Sequence, residues 1–165
     1  MIARLSELLR HTIESRGSDE VPLRDELDFL RRYIEIMEVR FQGRLRVETN
    51  VDAGVLDALV PNLILQPILE NALEHGAARS MTEGRVEIAA HRSGDDLVLM
   101  VRDNGPGLAD DPNQSGVGLR NTRERLEQLY GGAASLSMQS ADGSGVIAQI
   151  TLPFHTTRDL KTYGV

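Results

Sequence analysis

The spacing of apolar residues changes character near Arg44, and that change limits the fold more than any other feature of the chain. Before it, apolar residues recur every three or four positions. Ile2, Leu5, Leu9 and Ile13 follow that spacing and predict a helix over residues 2–16, ended by Gly17. Ser18, Asp19 and Pro22 mark a turn. Leu23, Leu27, Leu30, Ile34, Met37 and Phe41, spaced 4, 3, 4, 3, 4, predict a second helix over residues 23–41, with Arg and Glu on its other faces. The first helix suits a bundle or dimer stalk. The second suits an amphipathic helix lying on its own domain.

After Arg44, strand and helix patterns alternate. Leu45, Val47, Thr49 and Val51 interleave with polar residues as in a half-buried strand. Pro61 suits the first turn of a helix running to about Ala78. Strands follow at 85–92 and 97–102, joined by a Ser93-Gly94-Asp95-Asp96 turn. A loop rich in Gly, Pro, Asp and Asn covers 103–118. It leads to a helix with Leu119, Thr122, Leu126 and Leu129 on one face, stopped by Gly131 and Gly132. Strands at 134–140 and 146–152 close the chain. Hairpins mixed with helices predict a mixed or mostly antiparallel sheet covered by helices on one face. This is an α/β (α+β) two-layer sandwich preceded by N-terminal helices.

Composition removes several functions. The chain has 165 residues and a net charge of −7, against a nucleic-acid-binding module, whose footprint is basic. It has no cysteine, so disulfides, thiolate zinc sites and cysteine nucleophiles are excluded. No apolar run approaches the ~20 residues that span a bilayer, and no signal-peptide pattern opens the sequence. Aromatics are 4%, so the core must be aliphatic.

Three stretches carry candidate chemistry. In QPILENALEHG, Asn71 and His75 are four apart on a helix, with Glu74 beside them. A carboxamide oxygen such as that of Asn71 suits Mg²⁺, and His75 suits a phosphate. In DNGPG, Asp103 ends an apolar strand before glycines that let the backbone approach a ligand. An ionised Asp only accepts hydrogen bonds, so it selects the exocyclic amine of adenine over the carbonyl of guanine. In GVGLRNTRERL, two glycines open a helix whose free N–H groups suit an anion, with Arg120 and Arg123 in its first turns. Taken singly, each stretch also fits an ordinary reading: a solvated helix face, an Asn-Gly turn, a loop–helix junction.

Together, in this order, the three resemble the N, G1 and G2 boxes of the Bergerat-fold ATPases, the superfamily of gyrase, histidine kinases and the mismatch-repair ATPases. The flanks VPLRDELDFLRRYIEIMEVRF, VPNLILQPILENALEHG and GVGLRNTRERLEQLYGG resemble the LytS/YehU-type sensor histidine kinases over about Leu5 to Pro153. The resemblance implies a Bergerat ATP-binding fold with ATP and Mg²⁺ as cofactors. Asn71 would hold the metal, Asp103 would read the adenine amine, and Gly105 and Gly107 would shape the pocket floor. Gly116 and Gly118 would contact phosphate and hinge a lid over 108–115. Leu119 and Arg120 would also bind the nucleotide, Gly143 and Gly145 would form the last glycine box, and His75 would help with phosphate. It also implies the end of a dimerisation helix at residues 1–20 and the catalytic domain at 21–165. The expected partner is a response regulator. The full-length protein would be a membrane-associated homodimer with this portion in the cytoplasm.

The chain departs from the pattern in three places. Pro67 stands where hydrolysing relatives keep a Glu, leaving Glu70 as the nearby candidate base. Glu74 stands where many kinases carry Lys. The family's Asn-Pro-His-Phe acceptor motif is absent, so the phosphoryl acceptor is expected outside this chain. His11 falls beyond the acceptor stretch. His91 is expected on a solvated strand face and His155 in an exposed tail. Two other functions share the pattern: a serine kinase of the anti-sigma-factor type and an interaction module without nucleotide. The helical lead-in favours the sensor kinase.

Overall fold

The fold, taken from a computed structural model, is described for residues 20–108 and 116–162. The helix expected over 2–16, and the lid after Leu108, lie outside the described residues. Strand β1 (Glu20–Pro22) pairs antiparallel with β3 (Leu59–Pro61). Helix α1 (Leu23–Arg40) forms where the apolar stripe places it. Leu23, Leu30 and Met37 are buried, and Leu27, Ile34 and Phe41 pack partly against the core. Gln42 and Gly43, both at positive φ, turn the chain into the sheet.

The main sheet has the order β2-β4-β5-β7-β6, from β2 (Leu45–Val51), β4 (Gly84–Ser93), β5 (Asp96–Asp103), β6 (Ser135–Ser140) and β7 (Val146–Pro153). The pair β2–β4 is parallel and the others are antiparallel, so the sheet is mixed. A parallel pair needs a crossover. Here it contains β3 and helix α2 (Gln66–Asn71). Helix α3 (Val117–Tyr130) crosses between β5 and β6, and the short α4 (Thr157–Thr162) follows β7.

Val86, Ile88 and Ala90 of β4, Leu97, Leu99 and Val101 of β5, and Ala148, Ile150 and Leu152 of β7 form one buried face. Leu30 and Met37 of α1, Ile68 and Leu69 of α2, and Leu119 and Leu126 of α3 belong to the same core. Each fully buried Leu or Ile contributes roughly 1.5–3 kcal/mol. The two-layer sandwich is thus observed. His91, in β4, is exposed as expected.

The structure corrects three expectations. Pro61 ends β3 opposite Glu20, and the helix starts at Gln66 with Pro67 in its first turn. Long-range pairing with β1 claims the segment that local signals assign to the helix. Leu129 is 38% exposed because the last turn of α3 passes the core, where Tyr130 packs instead. His155 is not an exposed tail residue. Its Nε2 lies 2.8 Å from Glu20 Oε2, which also accepts from the Tyr130 hydroxyl at 2.7 Å. The Leu59 N–H donates to the His155 carbonyl at 2.9 Å, which ties the chain after β7 back to β3.

Candidate functional site

Asp103 is the last member of the inward row Leu97, Leu99, Val101, so the β pleat that buries those residues also buries its carboxylate. Burial pushes this carboxyl above the usual range. The Gly105 and Val146 backbone N–H groups and the charge of His75 pull the other way. The Gly105 N–H donates to Asp103 Oδ1 at 2.8 Å.

Glycine backbone walls the carboxylate in. A Cβ on Gly76 would lie 2.2 Å from Asp103 Cγ, and one on Gly105 would lie 2.4 Å from Gly76 Cα. A Cβ on Gly145, at φ 96, would lie 1.9 Å from the Asp103 carbonyl oxygen. Three chain segments close here to a distance that a methyl group forbids. Gly76 was missed as a site residue. Its signal was a glycine ending an otherwise helical run. Gly107 and Gly143 also have positive φ, and a Cβ on Gly107 would sit 3.7 Å from the Gly145 carbonyl, whereas Gly143 faces open space.

The helical ladder loosens beside this cradle. Helix α2 ends at Asn71, and Ala72–Gly76 forms a π turn in which the Ala77 N–H reaches back to the Ala72 and Leu73 carbonyls. Such widened turns are frequent at functional sites. Asn71 and His75 are both half-buried. His75 Nδ1 is buried without a hydrogen-bond partner, and its charge reaches Asp103. His75 is thus placed at the Asp103 end of the site.

Glu70 is placed elsewhere. Gln66 Nε2 donates to Glu70 Oε1 at 3.0 Å, and Glu70 and Glu74 line a cavity of about 350 Å³ together with Tyr33, Met37, Phe41 and Leu73. Burial and these two carboxylates push the Tyr33 hydroxyl up. This cavity lies between α1 and the α2 segment, and Asp103 is not among its lining residues.

Among the described residues, helix α3 opens at Gly116 with no side-chain cap. A Cβ on Gly118 would sit 3.5 Å from Pro67 Cβ, which brings the start of α3 against α2. Thr122 Oγ1 donates to the Gly118 carbonyl at 2.8 Å. Arg120 and Arg123 are exposed, while Leu119 is buried in the core.

A buried carboxylate walled by glycine backbone thus ends β5 in an α+β fold. Residues 57–156 match the family described as histidine kinase-, DNA gyrase B-, and HSP90-like ATPase, and the chain belongs to that family. Residues 1–45 match the histidine kinase family model. The chain is similar to the sensor protein LytS of Staphylococcus haemolyticus, at 27% identity over 96% of this chain and 29% of that protein. It is also similar to the sensor histidine kinase BtsS of Escherichia coli K12, at 32% identity over 93% of this chain and 27% of that protein. The chain therefore spans less than a third of these curated relatives. Among solved structures, the histidine kinase domain of the blue-light activated kinase of Erythrobacter litoralis EL346 superposes with a TM-score of 0.62 at 26% identity. That match covers 83% of this chain and 64% of that one. Among the described residues no helix is long and apolar enough to cross a membrane.

Proposed function

We propose that this chain is the ATP-binding catalytic domain of a two-component sensor histidine kinase. It would present the γ-phosphoryl of ATP to a histidine outside these residues, for onward transfer to an aspartate of a response regulator. The observation that carries the reading is Asp103, a buried carboxylate in a cradle of three glycines. The relatives' names and the histidine kinase match at residues 1–45 support the signalling role, and with it a homodimeric, membrane-associated full-length protein whose cytoplasmic part includes this chain.

The residues present fit a purine nucleotide. Asp103 would accept from an exocyclic amine. The orphaned His75 Nδ1 offers a further polar contact. Among the described residues no group of three His, Asp or Glu is placed to hold a metal. A Mg²⁺ ion here would draw most of its oxygen ligands from phosphate and water, with Asn71 supplying one from the protein. The N–H groups at Gly116 and Gly118, with Arg120, would take the phosphate chain. Glu70 lies on the cavity side, so the proposal rests on Asp103, Asn71 and the glycines. Catalysis here is positioning and charge stabilisation.

Calorimetric titration with a non-hydrolysable ATP analogue, with and without Mg²⁺, tests the reading. Binding that Mg²⁺ strengthens is expected, and Asn71→Ala should remove that strengthening while circular dichroism stays unchanged. No binding would overturn the proposal. With radiolabelled ATP the chain should form no acid-labile phosphohistidine; such label, lost in His11→Ala, would place the acceptor within these residues.

A further inference from the structure

The loop 62–65 that leads into α2 is held from two sides. From α1, Glu26 is 1% exposed, accepting the Leu63 N–H on Oε2 at 2.8 Å and the Leu65 N–H on Oε1 at 2.9 Å. From α3, the Arg125 guanidinium donates to the Asn62 carbonyl. Between them Leu63 sits at φ 58. A non-glycine residue adopts that conformation at a cost of roughly 1–2 kcal/mol, which the hydrogen bond from its own N–H to Glu26 offsets.

The clamp acts on a short, stiff element. Helix α2 has six residues, of which Gln66, Pro67, Ile68 and Leu69 are buried and Asn71 is the last. Beyond Asn71 the backbone widens into the π turn, and the clamped loop holds the other end of the helix. The clamp also gathers both neighbouring helices. Glu26 belongs to α1, and Arg125 to α3, which begins beside Gly116 and Gly118.

We propose that Glu26 is a positioning residue of the nucleotide site: its carboxylate sets the start of α2, and through it the place of Asn71, relative to α1 and α3. The proposal rests on the reading of Asn71 as the protein ligand of nucleotide-bound Mg²⁺. The two N–H donors here take separate oxygens of Glu26, and a carboxamide at this place would offer only one. Burial pushes Glu26 up to about 7, while the backbone N–H groups of Leu65, Leu63 and Ile64 and the charge of Arg125 pull it down. Arg125 is the charged side chain that bears on it among the described residues. Protonation near neutral pH withdraws acceptor capacity from the clamp, which makes its contribution measurable by pH.

The test is calorimetric titration of the whole 165-residue chain with a non-hydrolysable ATP analogue across neutral pH, with and without Mg²⁺. Wild type, Glu26→Gln, Glu26→Ala and Asn71→Ala are compared below their unfolding temperatures. In Glu26→Ala the affinity gained from Mg²⁺ should fall about tenfold, as for other groups that orient a metal ligand, with Glu26→Gln losing less. The Mg²⁺ gain of wild type should rise through neutral pH more steeply than that of Glu26→Gln; titration of the nucleotide's own phosphate is common to both. A purely structural Glu26 would lower the unfolding temperature and leave the Mg²⁺ gain and its pH profile at wild-type values, which overturns the proposal. If Glu26→Ala does not fold, the Glu26→Gln profile decides alone. Asn71→Ala that keeps the full Mg²⁺ gain overturns the reading of Asn71, and the clamp's role with it, separately from any result at Glu26.

Discussion

Among the described residues two carboxylates are buried, Asp103 and Glu26, and their surroundings are built in different ways. Asp103 stands among glycines, and its carboxylate accepts backbone N–H groups from Gly105 and Val146. Glu26 stands beside a loop rich in Leu and Ile, and both its oxygens are taken by Leu63 and Leu65. Burial pushes both groups up. Around Asp103 the walls are glycine backbone, whereas Glu26 has both oxygens engaged by the loop that leads into α2. The same chemical group is the proposed reader of a nucleotide in one place and a fastening in the other, and the neighbours distinguish them.

The most damaging change to the Asp103 region should be Gly145→Ala. The new Cβ meets a backbone carbonyl, which cannot rotate away, and φ 96 disfavours any side chain. Overpacking and the left-handed backbone together should cost about 3–5 kcal/mol in urea unfolding. Gly143→Ala shares the positive φ without the collision and should cost only about 1–2 kcal/mol. Equal losses for the two would show that the cradle is not close-packed.

The next effect concerns Glu26 and pH. Its folded value of about 7 lies above its ordinary 4.5, so the folded state binds the proton more tightly. The stability that this provides is fully present below pH 4.5 and is lost as pH rises through 7. Wild type should therefore lose on the order of 3 kcal/mol across that window relative to Glu26→Gln, measured by denaturant unfolding at several pH values. Parallel curves would break the comparison on the Glu26 side.

Asp103→Asn sharpens it on the other side. Because burial already disfavours the charged form, folding stability at neutral pH should stay the same or rise slightly. ATP affinity should fall by about 2 kcal/mol, the scale of a charge-assisted hydrogen bond, with weaker discrimination against GTP. Smallest of all should be Tyr130→Phe, which removes a half-buried hydroxyl bond to Glu20 and should cost about 1 kcal/mol in thermal unfolding.

Much of this architecture was legible along the chain because its causes are local. A stripe at helical spacing predicted α1, alternation predicted β2, and a hairpin turn between two strand patterns predicted β4 and β5. The pattern put Asp103 just past the strand end; the pleat that buries Leu97, Leu99 and Val101 in fact runs on to bury it. The glycines after it marked a backbone needing unusual freedom, and Gly107, Gly143 and Gly145 do have positive φ.

What only the tertiary structure decided were the contacts between segments far apart in the chain. Pro61 looked like a helix start, yet pairing with Glu20 holds it in β3. Glu26 read as one more charge on a helix, yet its partners lie 37 and 39 residues away. Glu70 and Asn71 are neighbours in sequence, yet Gln66 and α1 keep the first in the separate cavity. Gly76 gained its meaning only where Asp103 came to rest against it. Periodicity and turn chemistry set which residues face inward, but which buried polar group meets which depends on how the layers close, and no local pattern encodes that.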